Sequence, residues 1–409
     1  MAIISAFRGL RPAKDLASLV ASLPYDVLSS AEARVLADKN PYSFLHITKA
    51  EIDLPEETDI HSDKVYYKAA DNLFIFRDNK ILVQEETNAY YIYELTMAGR
   101  KQTGLVCVSA VSDYENNIIK KHELTRPEKE LDRINHMRIT GAQTGNVFLA
   151  YKSNAGLGRL IEGWKKGHET AYDFVAEDGI GHRVWVVDDP KTILEITRIF
   201  RDQIACTYIA DGHHRAASAA KVKNALGNEA SPDAGYFLTT LFPSDELQIM
   251  DYNRVVKDLN GMDTRIFLEK LNKDFRVEKM DSAFTPDRLH NFGMYLDGNW
   301  YRLEVKEDRF PDDPIGILDV SILQENILSP ILGIGDPRTD NRVDFVGGIR
   351  GLGELVKKVD NGQMKAAFSL YPVSMDQLFL IADSGEIMPP KSTWFEPKLR
   401  DGLLIHLIR

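Results

Sequence analysis

Cys206-Thr207-Tyr208-Ile209-Ala210-Asp211-Gly212-His213-His214-Arg215, running into the alanine-rich segment Ala216 to Leu226, is the stretch on which the fold turns. A short apolar run, one glycine and then a helical segment predict strand, turn and helix in succession. Gly212 allows a tight turn and close approach of a ligand, with no Cβ in the way. The first N–H groups of the following helix lack intrahelical partners and sit at its positive end, which makes an anion site. Two histidines and an arginine crowd the same end, where the helix dipole opposes cations. That crowding predicts that an anion, most simply a phosphate, neutralises the corner.

Outward from this corner the pattern alternates. Arg126–Ile139, Leu160–Lys166 and Ile193–Phe200 read as helices, and Val147–Tyr151 and Val184–Val187 as strands. The alternation predicts an α/β core over residues 113–245. Residues 1–112 read as a mixed α+β domain. Ser29 and Glu32 have capping-box spacing, and Val65, Ala69, Leu73 and Phe76 form one helical stripe. Ala98-Gly99-Arg100 is placed to turn a hairpin between Ala89–Leu95 and Leu105–Val111. Residues 246–409 return to α+β, with strand regions at Phe275–Met280, Gly293–Val305 and Ala366–Leu370 and helices at Ile317–Leu328 and Arg350–Val359.

The bulk numbers narrow the classes. The 409 residues suffice for two or three domains, and 44% hydrophobic with 27% charged residues is ordinary globular composition. Cys107 and Cys206 both lie in apolar runs, which argues against a disulfide framework and for a reducing cytoplasm. Met1 to Leu10 lacks the pattern of a secretory signal, and no apolar run has the length of a membrane span. A net charge of −11 argues against a protein that coats nucleic acid.

Three further clusters carry chemistry-bearing residues. In Lys120 to Arg133, Thr125 and Glu128 have capping-box spacing, so a helix should start there with His122 and Glu123 in the loop before it. Glu123 is either a solvated loop carboxylate or a general base. Lys129 and Arg133, at i,i+4, either pair with neighbouring acids or form a basic stripe. In Met388 to Lys398 the prolines stiffen a loop, and Lys391, Ser392 and Thr393 offer a cation and two hydroxyls suited to a carboxylate or phosphate. Asp336 to Asp344 alternates acid and base, as a salt-bridge ladder or a polar cleft. Asp26, in Pro24-Tyr25-Asp26-Val27, reads as a structural turn acid. The P-loop pattern, His-Glu-x-x-His and paired Cys-x-x-Cys do not occur, which disfavours those enzyme classes.

These clusters together resemble the ParB/sulfiredoxin-like superfamily and, within it, the free L-serine kinases. Ile209 to Arg215 fits the family's strand ending in Asp-Gly-His-His-Arg. His122-Glu123 ahead of Arg126–Arg133 fits its upstream His-Glu pair, and Pro390-Lys391-Ser392-Thr393 fits its C-terminal loop. The three occur in the family's order. Over its length the chain also looks like domain-of-unknown-function family one thousand and fifteen, often labelled SpoOJ/ParB-like, through Phe7-Arg8-Gly9-Leu10-Arg11-Pro12, Pro24 to Val27, Asp211 to Arg215 and Lys391 to Lys398. The serine kinases are shorter, with nothing matching residues 1–110, and carry basic residues where this chain has Trp394-Phe395.

The resemblance implies an α+β protein: a ParB/sulfiredoxin-like α/β core with additional N- and C-terminal α+β parts. It implies a nucleotide-dependent kinase that phosphorylates free L-serine to O-phosphoserine, with ATP or ADP as donor and Mg²⁺ as cofactor. Glu123 would be the base, and Asp211 would hold the metal or orient the hydroxyl. Gly212, His213, His214 and Arg215 would cradle the nucleotide's phosphates, and His122, Lys391, Ser392 and Thr393 would bind substrate. The expected partners are the nucleotide and a small amino acid, with a second copy of the chain a further candidate. The alternatives are a ParB-like nucleotide-binding regulator without kinase activity and a nucleotide hydrolase.

Overall fold

The computed structural model describes residues 1–227 and 231–409. They form two compact units: Met1–Leu247 together with Pro397–Arg409, and Gln248–Glu396.

The first unit is built on a nine-stranded sheet. Its strands are β1 (Ile4–Ser5), β2 (Tyr90–Met97), β3 (Arg100–Ala110), β4 (Ile119–Lys120), β5 (Val147–Tyr151), β6 (Tyr172–Val175), β7 (Gly181–Val187), β8 (Thr207–Asp211) and β9 (Tyr236–Pro243). They lie in the order β4-β8-β5-β9-β3-β2-β7-β6, with β1 beside β3. The β4–β8 and β5–β9 pairs are parallel, and the remaining pairs are antiparallel. The β2–β3 hairpin turns on Ala98 (φ +49°) and Gly99 (φ +80°), the positive-φ pair that two-residue hairpins favour. Three helices position the site: α1 (Asp63–Asp78), α2 (Pro127–Thr140) and α3 (His213–Leu226). Val65, Ala69, Leu73 and Phe76 are buried, as their spacing predicts for one face of α1. α2 packs against both α1 and α3. The small buried face of α3 (Ala216, Ala217, Ala219 and Ala220) permits close approach, and Ser218 Oγ donates to Glu130 O of α2 at 3.1 Å.

The units divide differently from the three-part expectation. β2 and β3, from residues 1–112, hydrogen-bond in the same sheet as β5, β8 and β9, so no boundary falls near 112. The C-terminal tail also belongs to the first unit. Asp401 and Ser22 exchange backbone hydrogen bonds at 3.0 and 3.1 Å, and Leu10 and Ile405 do so at 3.0 and 2.9 Å. Neither link is visible in local periodicity.

The second unit holds a six-stranded antiparallel sheet of β10 (Tyr252–Val256), β11 (Phe275–Met280), β12 (Asn291–Leu296), β13 (Asn299–Val305), β14 (Val343–Gly347) and β15 (Ala366–Ser369), in the order β11-β13-β12-β15-β10-β14. The region Gly293–Val305, which reads as one strand region, is two strands around Asp297-Gly298, both at positive φ. The predicted helix Ile317–Leu328 is an α-helical Asp319–Leu323 followed by a π-helical Gln324–Leu328. In the charge-alternating segment, Arg338 pairs with Asp336 at 2.9 Å and Arg342 with Asp340 at 2.7 Å. These are pairs within turns, not rungs of an extended ladder. Among the described residues, no helix is long and apolar enough to cross a membrane.

Candidate functional site

β8 ends in an irregularity. Ile209 pairs with Leu149 but Asp211 with Phe148, so two steps on β8 face one on β5, as in a bulge that re-aims the side chain beyond it. Gly212 then adopts φ +95° and starts α3 without a side-chain cap. A Cβ there would lie 3.4 Å from Val147 Cα in a conformation L-residues avoid. Gly212→Ala is expected to cost about 1–2 kcal/mol, read as a lowered melting temperature.

The structure brings Glu123 and His122 to this corner from a loop some ninety residues upstream. His213 Nδ1 lies 3.8 Å from Glu123 Oε2. His213 Nε2 accepts a long hydrogen bond, 3.5 Å, from the backbone N–H of His122, and the two imidazoles meet edge-on with centroids 4.6 Å apart. With Nε2 accepting, a neutral His213 carries its proton on Nδ1, toward Glu123. Burial pushes His122 down to about 4, and burial plus the neighbouring His122 push His213 well below the ordinary histidine value. His214 is lowered as well, by burial and Lys129, and its Nε2 accepts from Arg126 N at 2.9 Å. The histidines are therefore neutral near pH 7.

Arg215 is not poised as a phosphate ligand, which corrects the sequence expectation. Its side chain is buried; Nη1 donates to Asn146 O at 2.6 Å, and Nη2 donates to both carboxylate oxygens of Asp26 at 2.9 and 2.8 Å. Burial works against its charge, but Asp26 and then Asp401 outweigh this and raise its pKa. The crowded cations are thus neutralised by deprotonation of the histidines and by acids of the chain itself. The uncapped N-terminus of α3 remains the anion-attracting element.

Asp211 accepts from Lys398 Nζ at 3.0 Å. Burial would raise its pKa, but Lys398 and Arg215 hold its carboxylate well below the usual range. A cation already sits where a metal was expected. Among the described residues, no three His, Cys, Asp or Glu side chains come together so as to hold a metal ion.

α2 begins differently from the expectation. Its first residue is Pro127, its N-cap Arg126 makes no side-chain cap, and Thr125 Oγ1 donates to Glu130 instead of capping through Glu128. Farther along α2, Arg133 donates to Asp132 at 2.6 Å and stacks 3.9 Å over the Tyr25 ring. Tyr66 OH donates to the same Asp132 at 2.9 Å. This face, with Asp26, Lys129 and His214, lines a cavity of about 490 Å³ in the first unit. The volume is that of a small-molecule site.

The sequence alone gives Lys398 no role beyond the end of the proline-stiffened loop, and no local pattern marks Asp401. Asp401 is buried, with Oδ2 lacking a hydrogen-bond partner among the described residues, and burial lifts its pKa from 3.8 to about 7 despite Arg215. A carboxyl that binds its proton more tightly when folded stabilises the fold at low pH, and this stability is lost as pH rises from about 4 through about 7. Asp401→Asn should flatten that decline in melting curves taken across the interval.

Lys391, Ser392 and Thr393 belong to the second unit. Lys391 is exposed at φ +58°, Thr393 is half-buried, and Ser392 Oγ is committed to Pro389 O at 2.6 Å.

A family model described as "Protein of unknown function (DUF1015)" matches residues 4–321, well over half of the chain. The chain belongs to that family. No curated protein matches it. Among solved structures, a free serine kinase in complex with AMP is similar at 13% identity and TM-score 0.36, covering 74% of this chain and 91% of that one. SbnI with C-terminal truncation from Staphylococcus aureus is similar at 11% identity and TM-score 0.39, covering 74% and 87%. A conserved hypothetical protein from Pyrococcus furiosus is similar at 14% and 0.35, covering 74% and 95%.

Proposed function

We propose that this member of the family is a nucleotide-dependent kinase of a small hydroxyl substrate, free L-serine first, yielding O-phosphoserine. The observation that carries the reading is the meeting of Glu123 with the β8–α3 corner. A half-exposed carboxylate lies 3.8 Å from a buried neutral histidine, beside an uncapped helix N-terminus and the Asp211–Lys398 pair. A serine hydroxyl is a poor nucleophile near neutral pH and gains from a base. Glu123 takes the proton, serine Oγ forms a bond to the terminal phosphorus, and the bond from that phosphorus to the departing nucleotide oxygen breaks. ATP as donor leaves ADP; ADP leaves AMP.

Positioning and charge neutralisation dominate such transfers. The first-turn N–H groups after Gly212, with His213 and His214 as neutral hydrogen-bonding groups, hold the terminal phosphates. Lys398 is the cation best placed to meet their charge. Asp211 keeps Lys398 in position and orients the acceptor hydroxyl. His122, whose buried Nδ1 has no hydrogen-bond partner among the described residues, is assigned to the acceptor. Magnesium would arrive with the nucleotide as substrate. In the second unit, Lys391 and Thr393 have the chemistry to grip an oxyanion.

A second reading is nucleotide hydrolysis, favoured by the half-exposed side chain of Glu123, which water can reach. Incubation with ATP or ADP, Mg²⁺ and a panel of amino acids separates the readings. Serine-stimulated consumption supports the kinase, acceptor-independent consumption the hydrolase, and binding without consumption a regulator.

A further inference from the structure

Arg254 is a buried cation of the second unit that, among the described residues, no carboxylate accounts for. It lies mid-strand in β10, between Phe345 of β14 and Phe368 of β15, and is buried at 4% exposure. Its Nη1 donates to Tyr252 O and its Nη2 to Pro390 O at 3.2 Å. Among the described residues, Arg254 makes no ion pair with a carboxylate, and its Nε–H makes no hydrogen bond. Burial lowers its pKa to about 10, which still leaves it charged at neutral pH. Burying an ion with no counter-charge is strongly unfavourable, and two carbonyl dipoles offset it only in part.

A second cation lies against the same aromatic ring. Lys391 Nζ lies 5.8 Å from the centroid of the Tyr252 ring, and Arg254 Cζ lies 5.9 Å from the same centroid and 5.1 Å from that of Phe345. Lys391 likewise has no carboxylate partner among the described residues. Trp394 closes on Tyr252 edge-on at 5.0 Å, so the cations share an aromatic wall. Pro390 O, held by Arg254, directly precedes Lys391, which sits in a left-handed conformation uncommon for a residue with a side chain.

We propose that Arg254 and Lys391 together form an oxyanion-binding site of the second unit, taking a carboxylate or a phosphate group. The planar guanidinium supplies directional donors and the lysine a mobile point charge, a pairing suited to either oxyanion. The proposal deepens the assignment of Lys391 above. It rests on the phosphotransfer reading for which ligand is bound, but not for the site itself.

Isothermal titration of the full chain, without nucleotide and at constant ionic strength, with inorganic phosphate, O-phosphoserine and L-serine tests it. At least one of these should bind saturably, and both Arg254→Met and Lys391→Met should weaken that binding at least tenfold. Preference for the two phosphate probes assigns a phosphate group, and preference for L-serine a carboxylate. Arg254→Met should melt no lower than the starting chain, because it removes a buried uncompensated charge; should it fail to fold, Lys391→Met on the exposed side decides alone. Undiminished binding in the folded variants, or no saturable binding of any probe to the starting chain, overturns the proposal. Because no nucleotide is present, a chain that proves not to be a kinase still gives a decisive answer here.

Discussion

Glu123→Gln is expected to lower O-phosphoserine formation by about 10²- to 10⁴-fold, the range for loss of a general base. The substitution keeps the size of the side chain and removes the proton acceptor. Nucleotide affinity should hold, because the helix N-terminus and Lys398 are untouched. The neighbouring histidines sharpen the test. His122 is pushed down to about 4 and His213 well below its ordinary value, so neither titrates near neutrality. The rate of the starting chain should show no histidine-dependent limb between about pH 6 and 8. Steady-state rates for both proteins across that range check both statements; near-normal turnover in Glu123→Gln removes Glu123 from the mechanism.

Arg215→Ala is expected to destabilise the first unit by about 1–3 kcal/mol, through loss of a buried side chain's packing and of its hydrogen bonds to Asn146 O and the solvent-reached Asp26. The loss would leave the carboxylate of Asp26, now bonded through both oxygens, without its cation. Adding Asp26→Asn to that variant should recover part of the loss, because the stranded charge is then removed. Urea denaturation of the single and double variants measures this. Unchanged stability with weakened nucleotide binding would return Arg215 to the phosphate cradle that the sequence suggested.

The strand–glycine–helix corner was legible because its signals are local: an apolar run, a glycine and an alanine-rich segment within twenty residues. The capping box at Ser29 and Glu32 and the α1 stripe were legible for the same reason, and both form as spaced. What local pattern could not carry was long-range pairing. The Tyr236–Pro243 strand, central to the sheet, passed unmarked, and so did the return of Pro397–Arg409 to the first unit. The same limit explains the two corrections at the site. His213-His214-Arg215 reads as a cluster of cations, and only burial and the distant acids Asp26 and Asp401 reveal that the histidines are neutral and the arginine is spoken for. Asp211 reads as a metal ligand because its partner, Lys398, lies far away in sequence. Glu123, by contrast, was found by motif order, which local physics would have left as a loop carboxylate.

Mass spectrometric detection of O-phosphoserine, set against nucleotide consumed, tests the central claim most directly. The chain is given L-serine, Mg²⁺ and either ATP or ADP, with Glu123→Gln in parallel. One phosphoserine should form per nucleotide cleaved, with the signal falling to background in the variant. Nucleotide cleavage at the same rate with and without serine, and no phosphoserine, would contradict it.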